Sequence, residues 1–185
     1  FFLLISSLLS SIKTLMEKEQ RLSRYDSLTG VMNSRYFFEQ AEAALAEHRR
    51  LQQPFVLAYL DMEHFKQVND QHGHAEGDRV LREATEYLSQ HLRAQDLLGR
   101  MGGDEFTVLL ACCSADEGKV ILGRLQHGLN QAMQQRGWPV TLSVGMLHCT
   151  PQATELQDLL TQADQLMYAV KRDGRNGMAV AGAVV

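Results

Sequence analysis

Ile5, Leu8, Ile12, Leu15 and Leu22 recur at steps of three, four and seven, with Glu19 standing where a further apolar residue would fit. That seam predicts a short heptad helix pairing with a second copy, since so narrow a stripe does not suit a globular core; packing on its own domain is the competing arrangement. Asp26-Ser27-Leu28-Thr29-Gly30 breaks the helix with turn formers, and Asn33 or Ser34 caps the next, which carries Phe37, Phe38, Ala41, Ala44 and Leu45. After Pro54, the run Phe55-Val56-Leu57-Ala58-Tyr59-Leu60 is apolar throughout and ends at Asp61, the pattern of a buried central strand. Val80, Leu81, Ala84 and Leu88 predict a helix from Gly77 to about His91, followed by a strand from Leu97 to Met101. Gly102-Gly103 joins that strand to the next as a hairpin. A helix through Val120, Leu122, Leu125, Leu129 and Met133, a strand from Val140 to Leu147, a helix from Leu156 to Val170 and a terminal strand near Met178 complete the order. The expected architecture is an α+β sandwich, a mixed and mainly antiparallel sheet flanked by helices.

At 185 residues, with 45% hydrophobic and 22% charged content, the chain can fill one core but not two. A net charge of −4 argues against a nucleic acid polymer as partner, while leaving room for a local basic pocket and a small anionic ligand. Cys112 and Cys113 are adjacent and Cys149 stands alone, so no disulfide framework is indicated and a reducing cytosol fits best. The opening Phe1-Phe2-Leu3-Leu4-Ile5 lacks an initiator Met and is too short to span a bilayer. It reads as a cut piece of a longer protein, either the end of a transmembrane helix or a signalling helix leaving a soluble sensor. The expected location is therefore cytoplasmic, with an inner-membrane parent protein as one of the two origins.

Two acidic pairs carry the chemistry: Asp61 and Glu63 at a strand end, and Asp104 and Glu105 beside the glycine pair. Carboxylates at neighbouring strand ends can converge on one hard cation, because magnesium takes one or two protein carboxylates and completes its shell with water and phosphate. Any one of these acids alone is more often a solvated strand end. Gly102 and Gly103 permit positive φ and let a phosphate or ribose approach unhindered. Asn69 and Asp78 offer an amide for guanine's acceptors and a carboxylate for its N–H groups. Lys171 and Arg175 close a helix, where cations suit the dipole, and also match a triphosphate. His64, or His72 with His74, raises the thought of zinc, but no thiolate set accompanies them.

Arg100-Met101-Gly102-Gly103-Asp104-Glu105-Phe106 resembles the signature of the GGDEF diguanylate cyclases. Asp26-Ser27-Leu28-Thr29-Gly30, Leu60-Asp61-Met62-Glu63-His64-Phe65-Lys66, Asn69-Asp70, Gly73-His74, Gly77-Asp78 and Gly174-Arg175-Asn176 continue the likeness in the family's order and spacing, over roughly residues 24–180. The resemblance implies a nucleotidyl cyclase, palm-like GGDEF domain over residues 24–182, preceded by a signalling helix over residues 1–23. It implies condensation of two GTP into cyclic di-GMP across a homodimer held by that helix, with two Mg²⁺ or Mn²⁺ ions per site and the upstream sensor missing. Asp61, Asp104 and the main-chain carbonyl of Met62 would hold metal, Asp104 serving also as the catalytic carboxylate. Lys66, Lys171 and Arg175 would bind phosphates, Asn69 and Asp78 would read guanine, His74 would contact the nucleotide, and Glu105 would act structurally or beside the metal. Arg93-Ala94-Gln95-Asp96 falls where the family carries its RxxD product-inhibition site; arginine can fork onto guanine or phosphate and aspartate can take guanine N–H groups.

Glu63, His64 and Ser34 depart from the family's more frequent residues without removing a metal ligand. A silent GGDEF domain that binds GTP or cyclic di-GMP and signals by contact is the alternative, and a cyclase acting within one purine nucleotide is a third.

Overall fold

The computed structural model describes residues 24–152 and 155–183; the expected paired helix over residues 1–23 lies outside them. Six strands form one sheet: β1 (Met32–Asn33), β2 (Phe55–Glu63), β3 (Leu97–Gly102), β4 (Glu105–Leu110), β5 (Thr141–Cys149) and β6 (Met178–Gly182). Their spatial order is β1-β3-β4-β2-β5-β6, with antiparallel pairing at the centre and parallel pairs β1–β3 and β5–β6 at the two edges. Five helices connect them: α1 (Ser34–Leu51), α2 (Phe65–His72), α3 (His74–His91), α4 (Ala115–Gln135) and α5 (Leu156–Arg172). The mixed sheet and flanking helices match the α+β expectation.

β2 explains the layering. Because successive side chains point to opposite faces of a strand, its continuous apolar run serves two cores at once. Val56, Ala58, Leu60 and Met62 pack with Val68, Val80, Leu88, Leu122, Leu125 and Leu129 from α2, α3 and α4. Phe55 and Leu57 pack on the other face with Phe37, Ala41 and Leu45 of α1 and Leu159 and Ala163 of α5. The same parity sends Tyr59, Asp61 and Glu63 toward the α5 side, and there the apolar pattern stops.

Capping sets the helix starts. Asn33 accepts from the Tyr36 backbone N–H at 2.9 Å, and Ser114 and Glu117 form a reciprocal capping box at the head of α4. Trp138, silent in the sequence, donates its indole N–H to Glu76 at 2.9 Å and ties the approach to β5 onto α3. His48 is 5% exposed, stacks on Phe55 with ring centroids 5.1 Å apart, and leaves Nδ1 without a partner, so burial holds its pKa below the usual imidazole range.

Two elements were not anticipated. α2 buries only Val68, too little for its periodicity to stand out, and it follows directly on His64, which takes φ 63°. β1 is two residues long and exists only through its pairing with β3. α3 also begins earlier than expected, at His74. Cys112 is exposed, Cys113 and Cys149 are buried, and all three are free thiols. Among the described residues, no helix is long and apolar enough to cross a membrane.

Candidate active site

The site lies where β2, the β3–β4 hairpin and the C-terminal end of α5 meet. Asp61 is 4% exposed, and its Oδ2 takes the Lys171 ammonium at 2.7 Å. Burial pushes the Asp61 carboxyl up to about 6; the Lys171 bond opposes this, and the charges of Asp104 and Glu63 add to it. Burial opposes the charge on Lys171, but its bond to Asp61 and the acids around it prevail and hold its pKa above the ordinary value. One turn of strand further on, Glu63 is also buried, accepting from the Ser143 hydroxyl at 2.8 Å and pairing with Arg175 Nε at 2.9 Å. Two carboxylates and two cations therefore alternate along one face of the sheet.

The hairpin brings the second acidic pair. Gly103 takes φ 49°, a left-handed conformation that favours glycine, and a Cβ there would meet open space, so the turn and not crowding requires it. The carbonyl of Asp104 accepts from the Met62 backbone N–H at 3.2 Å, which ties the hairpin to the end of β2. Met62's side chain is buried in the helical core, so only its main chain can serve the site. Glu105 lies opposite Asp61 in register and accepts from the Tyr59 hydroxyl at 3.1 Å; burial and this negative neighbour push the Tyr59 phenol well above its usual value. Glu105 is thus held against the sheet, while the Asp104 side chain makes no hydrogen bond or ion pair among the described residues.

Arg100 does work that no residue pattern assigned to it. Its Nε and Nη2 donate to the Gly103 carbonyl at 3.0 and 2.7 Å, and its Nη1 reaches Asp26 at 2.9 Å. Asp26 also accepts from Thr29 N–H and hydroxyl at 2.9 and 2.6 Å; these bonds and Arg100 overcome burial and hold its carboxyl below the usual range. The turn at residues 26–30 is in this way clamped to the hairpin that presents Asp104.

α2 and α3 pack so that the Asn69 side chain lies against Gly77, the residue before Asp78. The Gly73 N–H caps α2 on the Asn69 carbonyl at 2.9 Å with φ 84°, and a Cβ at Gly77 would run into the Asn69 amide. Leu28, Val31 and Phe65 pack partly buried along the same core. Lys66 and His74 are exposed. Gly77→Ala is expected to push the Asn69 amide aside, and a shift of the Asn69 side-chain amide signals in NMR spectra of the two proteins checks it.

The segment carrying Arg175 is strained. Gly174, Arg175 and Asn176 take φ 117°, 64° and 48° in succession, and left-handed non-glycine residues cost about 1–3 kcal/mol each. Two amides on α4 hold them: Asn130 donates to Asn176 at 2.6 Å and accepts from Leu142 N–H at 3.0 Å, while Gln126 donates to the Leu142 and Gly177 carbonyls at 2.6 and 2.9 Å. Gln126 and Asn130 were missed by sequence reasoning. Their signal was two amides four residues apart beside the buried Leu122, Leu125 and Leu129.

Arg93 and Asp96 lie away from this cluster, in the connection after α3. Asp96 accepts from the backbone N–H of Arg93 at 2.9 Å and of Ala111 at 3.1 Å, so it closes the turn and fastens it to the end of β4, leaving the Arg93 side chain exposed.

Among the described residues, no three His, Cys, Asp or Glu side chains gather into a complete metal cage. The donor set still suits magnesium: a buried Asp61, an uncommitted Asp104 close enough to raise its pKa, and main-chain oxygen at the end of β2, with positions left for water and phosphate.

The family described as "Diguanylate cyclase, GGDEF domain" matches residues 23–177. The chain is 39% identical over 161 residues to the uncharacterized protein YhcK of Bacillus subtilis, covering 83% of this chain and 44% of that one. It is 35% identical over 164 residues to the protein named "Probable diguanylate cyclase DgcC" of Escherichia coli, covering 88% of this chain and 44% of that one. The chain thus spans less than half the length of these curated relatives. Its fold is similar to the crystal structure of the coiled coil and GGDEF domain of DgcB from Caulobacter crescentus in complex with c-di-GMP, with TM-score 0.85, 25% identity and 95% of each chain covered.

Proposed function

The chain belongs to the GGDEF domain family of diguanylate cyclases, and from that premise we propose that it joins two GTP molecules into cyclic di-GMP and releases two pyrophosphates. The observation that carries this reading is the meeting of Asp61, Asp104 and Lys171 at one end of the central strands, with Asn69 lying against Gly77, the residue before Asp78. Asn69 and Asp78 read the base, while Gly102 and Gly103 leave the hairpin open to the ribose and phosphates. Lys66, Lys171 and Arg175 draw the triphosphate in and hold its charge. Asp61, Asp104 and the Met62 carbonyl would hold magnesium or manganese, which supplies charge that acidifies a ribose 3′-hydroxyl and neutralises developing charge at the α-phosphate and pyrophosphate. Asp104 is the carboxylate proposed to orient the attacking hydroxyl, with its proton passing to Asp104 or to water. Glu105 does not share this role; its bond to Tyr59 keeps it supporting the hairpin.

Each copy holds one nucleotide, so two copies must face each other, and the heptad seam in the sequence of residues 1–23 is the proposed means of keeping them at high effective concentration. The proposed setting is the cytoplasm, where GTP is supplied. Arg93 and Asp96 form the proposed product-inhibition site, Arg93 reaching the ligand from a turn that Asp96 stiffens. The second reading, a silent binding module, draws on the strained Arg175 segment, which would serve binding without turnover equally well.

Incubating the full chain with GTP and Mg²⁺ and separating the products decides among them. Cyclic di-GMP is expected; no product supports the silent module, and cyclic GMP the single-nucleotide cyclase. Added cyclic di-GMP is expected to slow turnover, and Arg93→Ala to relieve that slowing without lowering the uninhibited rate.

A further inference from the structure

Two of the three cations assigned to the triphosphate, Lys171 and Arg175, are already engaged. Lys171 Nζ sits 2.7 Å from Asp61, and Arg175 Nε 2.9 Å from Glu63, on carboxylates whose side chains are only 6% and 7% exposed. The pairs differ in how firmly they are fixed. Glu63 is also held by Ser143, and Arg175 sits in the segment clamped by Gln126 and Asn130; a guanidinium bound through Nε has further donors to give. Among the described residues, Lys171 has no such anchor. It is a flexible side chain in the last turn of α5, 28% exposed, and its recorded ion pair is with the very oxygen set that would hold a metal.

A buried carboxylate left charged without a cation is strongly destabilising, so Asp61 needs a positive partner whenever it is ionised. An ammonium at 2.7 Å and a metal ion in contact with the same carboxylate occupy overlapping space, so the two exclude each other. We infer that Lys171 is an internal stand-in for the metal: it neutralises Asp61 in the empty site, competes with free divalent cation, and is handed over to the triphosphate when nucleotide arrives. Metal and nucleotide then bind cooperatively through this one side chain, because each removes an obstacle to the other. The empty site is protected from filling with metal alone.

The inference rests on the cyclase reading only for the identity of the nucleotide. Its test uses Mn²⁺ binding to the full chain, followed by electron paramagnetic resonance at mildly alkaline pH, with and without 3′-deoxy-GTP, which lacks the attacking hydroxyl. In the parent chain Mn²⁺ alone is expected to bind weakly and to tighten when 3′-deoxy-GTP is present. In Lys171→Met, Mn²⁺ alone is expected to bind about tenfold more tightly, 3′-deoxy-GTP about tenfold more weakly, and the coupling between them to shrink, within the usual range of such couplings. Unchanged or weaker binding of Mn²⁺ alone in both Lys171→Met and Lys171→Gln, each with a parent-like melting temperature, overturns the inference. Asp61→Asn should abolish Mn²⁺ binding in every background; retention of it also overturns the inference. A chain that makes no cyclic di-GMP yet shows the Lys171→Met tightening would keep the exchange and sink the cyclase.

Discussion

On the proposed reading, Asp104→Ala is expected to lower formation of cyclic di-GMP by about a thousandfold or more while leaving the fold intact, because it removes a carboxylate that would hold the metal and serve the attacking hydroxyl. Its side chain makes no hydrogen bond or ion pair among the described residues, so nothing in the core is lost with it. Its main-chain carbonyl, which fastens the hairpin to Met62, survives the substitution. Removing Asp104 also takes one negative charge from beside Asp61, whose raised pKa should then relax toward the ordinary value. A parent-like melting temperature with lost turnover is the expected pair of results. A rate within tenfold of the parent would show that the hairpin acid is dispensable. Glu105→Gln provides the contrast: it keeps the shape that Tyr59 bonds to, and a loss well below that of Asp104→Ala is expected from weakening a supporting hydrogen bond.

Gly145→Ala carries the largest expected effect on stability. Gly145 lies in β5 between Tyr59 of β2 and Ala179 of β6, and a Cβ there would collide with the Ala163 carbonyl and the Met167 backbone of α5. Those atoms are helix backbone and cannot rotate aside, so α5 must lift from the sheet. Overpacking in a core commonly costs about 1–3 kcal/mol, and a clash against backbone belongs at or above the top of that range. For a domain of this size that is a fall in Tm of roughly 6–12 °C. Because the last turn of α5 carries Lys171, the same displacement should weaken nucleotide binding. Gly123→Ala is the control: its Cβ would meet only a methionine methyl at 4.0 Å, and replacing a mid-helix glycine there should be neutral or slightly stabilising. Thermal unfolding of the two variants side by side checks both, and equal melting temperatures would refute the packing argument.

The two substitutions mark two kinds of information. Asp104 was picked out by its place beside a glycine pair together with the likeness of Arg100-Met101-Gly102-Gly103-Asp104-Glu105-Phe106 to the family's signature. Gly145 was not legible, since nothing in Ser143-Val144-Gly145-Met146 announces that a helix comes from the far side of the chain to touch the strand there. Arg100 lies between these cases. It belongs to the signature run, yet its bond to Asp26 joins residues 74 apart in the chain.

By itself, the order of apolar and polar positions determined the α+β class, the central strand through Asp61, the glycine hairpin and the acids and amides able to meet a nucleotide, because period, turn chemistry and functional-group type are local properties. Tertiary structure alone decided that Lys171 lies on Asp61 and Arg175 on Glu63, that Tyr59 donates to Glu105, and that Gln126 and Asn130 hold the strained segment. The reason is physical: a buried charge takes whichever opposite charge the packing of sheet and helix delivers, and that delivery depends on strand register and helix seating, which no local pattern encodes.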